Sequence, residues 1–278
     1  MPHDFQLFTS LRFDPGLVDV PKSRLANAGW NAKITSPYYM LDYHRDRMLR
    51  AATYWNWAPA IEAISGQDGL QRLAEAIEAF LAHHGKDNAL RVKVLLSADG
   101  RISCEASQVP AVPLGNLFPQ RLPPPSDSKE FGDPSEEPSM EVVLDTTNTP
   151  QSEYTHYKTT KRAMYDTARD RAGISPTDRR EVLLVNSKDG SIMEGSLTTP
   201  FFWRKGRWVT PPVSAKFTPD TGSGGQDGTT RRWALERSLA VEEEVRADSL
   251  EDGEPCWVSN GVRGFTFGTV RLNAASEA

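Results

Sequence analysis

The sequence predicts an α+β protein in two parts, and three observations carry that prediction. Apolar residues recur at helical spacing twice within the first third of the chain. Beyond residue 140, short β-rich runs separated by tight turns take over. Between them, residues 118–139, "FPQRLPPPSDSKEFGDPSEEPS", gather proline, serine and acidic residues in one place. Such a stretch lacks the apolar surface to fold alone, so it reads as a linker or long exposed loop. It divides an N-terminal domain, 1–117, from a C-terminal one, 140–278.

In chain order, "DFQLFTSLRF" has the residues of a strand at the edge of a sheet. In "YYMLDYHRDRMLRAATYWNW", Leu41, Met48 and Leu49 fall near helical spacing with charges between them, which predicts a helix over about 42–55. Leu70, Leu73, Ile77 and Phe80 or Leu81 predict a second helix, ended by "HHG". "RVKVLLSADGRISCEAS" alternates on both sides of Asp99-Gly100, a β-hairpin signal. In the second part, "MEVVLD", "EVLLVN", "IMEGSLTTPFFW" and "WVTPP" read as strands joined mostly by antiparallel hairpins at "SKDGS" and "RKGR". "GTTRRWALERSLA" reads as a helix, and "PCWVSNGVRGFTFGTVRL" supplies the last strands.

Composition narrows the function. A chain of 278 residues with net charge -5 and no basic, aromatic-interleaved patch argues against a nucleic-acid or anionic-membrane binder. Cys104 and Cys256 stand far apart, and the five histidines form no metal-ligand cluster, which leaves no expected metal. The N-terminus carries no secretory pattern, and no apolar run nears the roughly 18 residues of a membrane span. A cytoplasmic home is the expectation.

"TGSGGQDGTTRR" lacks the lysine of a Walker loop and the spacing of a dinucleotide fingerprint. Its "GTTR" nevertheless opens a helix with unpaired N–H groups, two hydroxyls and the positive end of the helix dipole. Two readings stand at this point, a phosphate-monoester site and an ordinary threonine cap. In "YTHYKTTKRAMYDTAR", Lys158 and Lys161 lie at what reads as a helix start.

Taken in order, Lys158 ahead of a helix, Glu194 in "MEGS", then "GTTR" and "VSNGVRG" resemble the fold-type IV family of pyridoxal-phosphate enzymes. "YHRDRMLRAA" is similar to that family's "HxxRLxxSA" helix. Together with "SLRFDP" and "HYKTTKRAMYDTAR", it looks closest to the 4-amino-4-deoxychorismate lyase-like branch. The resemblance implies a smaller N-terminal α/β sandwich domain and a larger C-terminal domain with a mostly antiparallel sheet or barrel. It implies pyridoxal 5'-phosphate as cofactor, a small-molecule amine as substrate and a homodimer.

Carried over residue by residue, Lys158 matches the Schiff-base lysine, with Arg162 four positions on. Glu194 matches the carboxylate that pairs with the pyridine nitrogen, and Arg47 a phosphate-binding arginine. Thr229 and Thr230 match the helix-start phosphate site; Ser259, Asn260 and Gly261 match a second loop on the same phosphate. Lys161 receives no catalytic role. His44 reads as structural. Arg12 is a candidate for a substrate carboxylate, with an ion pair to Asp14 as the competing reading. Two departures stand out: Thr199 in "EGSLTTP" replaces an expected asparagine, and the segment between "TPP" and "GTTR" is long and glycine-rich. The activity implied is a lyase forming 4-aminobenzoate and pyruvate, a step of folate precursor synthesis. A fold-type IV transaminase and a non-catalytic cofactor-binding homologue are the alternatives.

Overall fold

The computed structural model describes residues 4–126 and 139–272, which form two compact units. The first comprises Met1–Phe118 with two short returns of the chain, Tyr157–Lys161 and Gly261–Gly264. The second comprises Pro119–His156, Arg162–Asn260 and Phe265–Ala278.

In the first unit, β1 (Leu7–Phe13), β2 (Leu90–Leu96) and β3 (Ile102–Gln108) make an antiparallel sheet in the order β1-β2-β3. The opening run is indeed an edge strand of this sheet. The β2–β3 hairpin turns at Gly100, whose φ of 84° suits glycine, and a Cβ there would stand 2.7 Å from the Pro59 carbonyl oxygen. The helices are α1 (Trp30–Lys33), α2 (Leu41–Tyr54), α3 (Ala58–Ile64), α4 (Gly66–Leu81) and α5 (Leu114–Leu117). Leu70, Leu73, Ile77 and Leu81 form the buried seam of α4, while Phe80 stays at its margin.

The second unit carries β4 (Met140–Leu144), α6 (Glu153–His156), α7 (Ala163–Arg171), β5 (Arg180–Val185), β6 (Ile192–Gly195) and β7 (Thr199–Arg204). β8 (Arg207–Thr210), α8 (Thr229–Glu236), β9 (Val241–Glu242), β10 (Pro255–Asn260) and β11 (Gly264–Arg271) complete it. Its eight strands run in the order β6-β5-β4-β11-β10-β7-β8-β9.

One expectation needs correcting here, and one needs detail. Antiparallel pairs β5–β6, β7–β8 and β7–β10 stand in the sheet beside parallel ones, since β4 pairs in parallel with β5 and β11, and β8 with β9. Turn signals reveal only hairpins. Parallel neighbours need a crossover, which α6 and α7 supply between β4 and β5. The run "IMEGSLTTPFFW" is also two strands, not one. Gly195 N–H donates to the Thr198 carbonyl at 2.8 Å, closing a turn that sends β6 to β5 and β7 to β10.

The expected linker lies largely outside the described residues, from 127 to 138. Its beginning is fastened rather than exposed. Leu122 and Pro123 are buried, and the Trp208 indole donates to their carbonyls at 2.9 and 3.1 Å. An apolar side chain and two unpaired carbonyls suffice to dock even a proline-rich stretch.

β5 explains how the second unit is layered. Leu183 and Val185 belong to one apolar cluster with Ile192, Phe202, Val209 and Val258. Val182 and Leu184 belong to another with Tyr165, Ala168 and Met193. A strand buried on both faces reads as the continuous apolar run "EVLLV". Among the described residues, no helix is long and apolar enough to cross a membrane.

Candidate active site

Lys158 sits on an extended stretch between α6 and α7, not at a helix start. Phe8 N–H donates to the Lys158 carbonyl at 3.1 Å and Thr160 N–H to the Gln6 carbonyl at 2.9 Å, with Leu7 and Thr159 forming a bridge between them. Held by that pairing, its half-buried side chain places Nζ 4.9 Å from the Phe8 ring centroid. Tyr157, next in chain, packs on Tyr54 and Trp55. Lys161 instead pairs with exposed Asp4 at 2.8 Å, the surface role expected of it.

In the same unit, His44 and Arg47 lie three residues apart on α2 and share one face. Both reach Thr9 of β1. Arg47 Nη2 donates to the Thr9 hydroxyl, which lies 2.5 Å from His44 Nδ1. Donation onward from the hydroxyl to Nδ1 satisfies the hydroxyl and Nδ1 and leaves the ring proton on Nε2. That Nε2 is buried without a hydrogen-bond partner among the described residues. Burial, then the charges of Arg47 and Lys158, hold the imidazole pKa well below its ordinary value. His44 is therefore a neutral ring carrying charged neighbours, a structural role with electrostatic content.

Arg12 requires a correction. It is fully buried, and its Nε donates to Asp14 at 2.7 Å. Nη1 donates to the Val262 carbonyl at 3.3 Å and Nη2 to that of Pro110 at 3.1 Å. A guanidinium spent on one carboxylate and two carbonyls is framework, so the ion-pair reading replaces the substrate-carboxylate reading. Gly261 belongs to this framework as well, its carbonyl accepting from Arg12 N–H at 3.0 Å.

Glu194 lies in β6 opposite Leu184 of β5, and so on the face that α7 covers. The register shifts next to this pair, with Val185 opposite Ile192. The extra residue is Met193. This bulge lets Met193 join the Tyr165 cluster beside Glu194 while Ile192 joins the opposite core. There Tyr165 Oη stands 2.5 Å from Glu194 Oε1 and accepts from Gln226 Nε2 at 3.0 Å. Burial and the Glu194 carboxylate push the phenol pKa well above its usual value, so it stays a neutral donor.

Gln226 belongs to the glycine-rich departure, whose glycines have a steric reason. A Cβ at Gly225 would meet the Met193 carbonyl oxygen at 2.5 Å and Glu194 Cβ at 3.2 Å. A second carboxylate, Glu181, was not singled out in the sequence. Almost fully buried, it accepts from Ser196 Oγ at 2.5 Å, Thr198 Oγ1 at 2.8 Å and Leu197 N–H at 3.1 Å. It thus fixes the turn that follows Glu194.

At the start of α8, Thr230 Oγ1 meets Ser259 Oγ of β10 at 2.8 Å. Thr229 Oγ1 is buried with no hydrogen-bond partner among the described residues. An orphaned hydroxyl beside the free N–H groups of a helix start suits a phosphate oxygen. Asn260 Nδ2 donates to the Leu197 carbonyl at 3.3 Å. Thr199 fills the space over Gly228, where an added Cβ would lie 2.8 Å from its Oγ1. The substituted threonine therefore still bears on the helix start. Within this unit, a buried carboxylate and an anion-binding helix start are the groups that a phosphorylated pyridine would require, and the residues present fit it.

Comparison with known proteins extends these observations. A family model described as amino-transferase class IV matches residues 29–269. An aminodeoxychorismate lyase of Saccharomyces cerevisiae is 33% identical over 145 residues, which is 48% of this chain and 37% of that enzyme's length. An aminodeoxychorismate lyase of Bacillus subtilis is 25% identical over 239 residues, 81% of this chain and 70% of that enzyme. The crystal structure of a protein assigned as an amino-acid aminotransferase from Mesorhizobium loti superposes with a TM-score of 0.62 at 23% identity. It covers 96% of this chain and 100% of its own.

Proposed function

Because this chain belongs to the class IV amino-transferase family, we propose that it is a pyridoxal-phosphate lyase converting 4-amino-4-deoxychorismate into 4-aminobenzoate and pyruvate. Membership implies an enzyme of lyase or aminotransferase type, with pyridoxal phosphate as its cofactor. The observation that carries the finer reading is the name shared by the two curated relatives, both aminodeoxychorismate lyases.

When bound, the cofactor supplies an electron sink for the pair released at the substrate carbon. Lys158 would be the amine that holds the cofactor, and its Nζ would also be the base for the proton on the ring carbon that bears the substrate amine. A lysine suits both tasks because its amine can be deprotonated, whereas a guanidinium cannot. Glu194 would be the carboxylate that pairs with the ring nitrogen and favours its protonated form. Thr229 and Thr230 would donate to a phosphate with the first N–H groups of α8, joined by Ser259 and Asn260. Arg47 would offer its planar fork of donors to an anion. Loss of the three-carbon side chain makes the substrate ring aromatic, and the proton carried by Lys158 ends on the departing fragment as pyruvate. We extend the reading to a homodimer in the cytoplasm, with mass in solution as the check on assembly.

The test begins with absorbance of the purified protein supplied with pyridoxal phosphate, before and after borohydride. A visible band that borohydride traps, absent in Lys158→Ala, is expected. Equimolar 4-aminobenzoate and pyruvate from aminodeoxychorismate would then support the lyase. Keto-acid formation from amino acids without pyruvate release would replace it with a transaminase, and absence of any trapped band would end both readings.

A further inference from the structure

The glycine-rich segment and Tyr165 are the features of the second unit that the family's known site residues leave unexplained. Tyr165 leaves α7 into an apolar cluster of Val143, Ala168, Ile174, Val182, Leu184 and Met193. A phenol there needs partners, and it has three. Its oxygen lies 2.5 Å from Glu194 Oε1 and 3.1 Å from the Thr155 carbonyl, and it accepts from Gln226 Nε2 at 3.0 Å. One proton cannot serve two acceptors. The short contact to a carboxylate has the geometry of a charge-assisted O–H···O⁻ bond, so the proton points to Glu194.

Gln226 reaches the phenol only because the chain before it runs hard against β6. Gly224 has a φ of 89°, and a Cβ there would lie 2.6 Å from Gln151 Cβ. At Gly225 the added atom would strike the Met193 carbonyl, as described above. The glycine-rich stretch thus delivers one amide to one phenol.

We propose that Tyr165 is a positioning residue for Glu194, with Gln226 orienting its phenol, and that this pair sets the direction and the proton affinity of the carboxylate. The inference deepens the cofactor reading, on which the role of Glu194 rests. A donor on Oε1 fixes the carboxylate plane and stabilises its charged form. It moderates the pull of Glu194 on a bound pyridinium proton, leaving that proton on the ring. The other charged group facing this phenol is Arg162, whose guanidinium lies 5.2 Å from the ring centroid and pairs with Asp166.

The experiment uses cofactor-free protein labelled with carboxyl-13C glutamate, the Glu194 signal being assigned by its loss in Glu194→Gln. Tyr165→Phe keeps the ring in its cluster and removes only the donor. The midpoint of the Glu194 titration should rise by about one pH unit, the share of one hydrogen bond among the two or three that depress a carboxylate strongly. Gln226→Leu should raise it less, by freeing the phenol to turn toward the Thr155 carbonyl. Incorporation of 3-fluorotyrosine at 165, a more acidic phenol, should lower it below wild type. A role confined to packing would leave all three midpoints at the wild-type value with only thermal stability changed, and that result overturns the proposal. Far-UV circular dichroism confirms that each variant folds. Adding pyridoxal phosphate then tests the underlying reading separately. Shifted midpoints with no response of the Glu194 signal to cofactor keep the Tyr165 coupling and remove the cofactor reading. A cofactor response without shifted midpoints does the reverse.

Discussion

The two units bury different mixtures of charge-bearing groups and treat them differently. The first buries nitrogen: Arg12 and His44 are both fully shielded from solvent. The second buries the carboxylates Asp145, Glu181 and Glu194, and with them Arg231 and His156. Arg12 keeps its charge because Asp14 and two carbonyls compensate it, whereas His44 has one hydroxyl and two cationic neighbours and gives its charge up. Asp145 pairs with Arg171, Glu181 accepts from three groups of one turn and from Val182 N–H with the Arg169 guanidinium 3.9 Å away, and Glu194 accepts from a phenol. Dipoles thus contribute to holding Glu181 and Glu194, whereas Arg12 and Arg231 rely on an acid and His44 on remaining neutral. The lesson concerns identification. A buried arginine bonded to one carboxylate and two backbone carbonyls of its own unit is structure, while a buried carboxylate oriented by a phenol from another segment is a candidate for a role in the site.

The largest effect should come from breaking the compensated cation. Arg12→Met preserves length and apolar volume but leaves Asp14 without its partner. Removing one member of a buried pair costs about 3–5 kcal/mol, and the partly exposed Asp14 side chain places the expected loss near the lower end. Urea denaturation should show it as a lower midpoint. The kinetic half of the prediction separates framework from site: KM of the folded enzyme for its substrate should stay within about twofold of wild type. A large rise in KM at undiminished stability would restore the substrate-carboxylate role and erase the distinction.

Glu181→Gln comes next. The amide retains one acceptor oxygen, yet it presents a donor where Ser196, Leu197 and Thr198 all donate. Leaving one or two of those groups unpaired should cost about 1–3 kcal/mol, read as a fall in Tm. Because the turn directly follows Glu194, the variant should also bind pyridoxal phosphate more weakly, while Glu181→Asp should recover part of both. Lost affinity with unchanged Tm would mean that Glu181 touches the site directly, and the dipole-held scaffold would then be the wrong description.

Much of this arrangement was legible in the sequence, unevenly. α4 was plain because Leu70, Leu73, Ile77 and Leu81 hold strict spacing, and the β2–β3 hairpin because Asp99-Gly100 is a strong local signal. The parallel pairs of β4 were hidden, since a crossover leaves no local signature. The fate of Arg12 was open, as "RFD" fits both of its readings and only Val262 and Pro110, far away in sequence, decide between them. Lys158, Glu194 and the start of α8 were singled out through motif order. Tyr165, Gln226 and Glu181 were missed for one reason: each acts through contacts from distant segments, 29 residues apart for Tyr165 and Glu194 and 61 for Tyr165 and Gln226. The one available signal was the surplus of glycine before "QDGTT", which marks close backbone approach without saying to what.

The smallest effect sharpens the contrast from the side of the neutral base. His44 in the folded protein resists protonation because of burial first, then Arg47 and Lys158. An unfolded chain has no such resistance and takes up the proton near the ordinary histidine pKa of about 6.5. Below that pH the unfolded state binds more protons than the folded one, so stability must fall as pH falls, by at most about 1.4 kcal/mol per pH unit for this ring. Above it the contribution is complete and flat. The depressed carboxylates of Glu78, Glu243 and Asp248 titrate below their own ordinary values, and the difference between wild type and a His44 variant over the interval from about pH 6.5 to 5 separates this ring from the other histidines. His44→Asn places an amide near Nδ1, retains a partner for Thr9 and cannot titrate. Its urea midpoint should therefore change less than wild type between about pH 7.5 and 5.5, whatever its absolute stability. Lys158→Met, which removes one repelling charge and keeps the ring, should have an intermediate slope. If wild type and His44→Asn show the same slope, His44 is charged in the folded state, and its unit buries base by compensation alone.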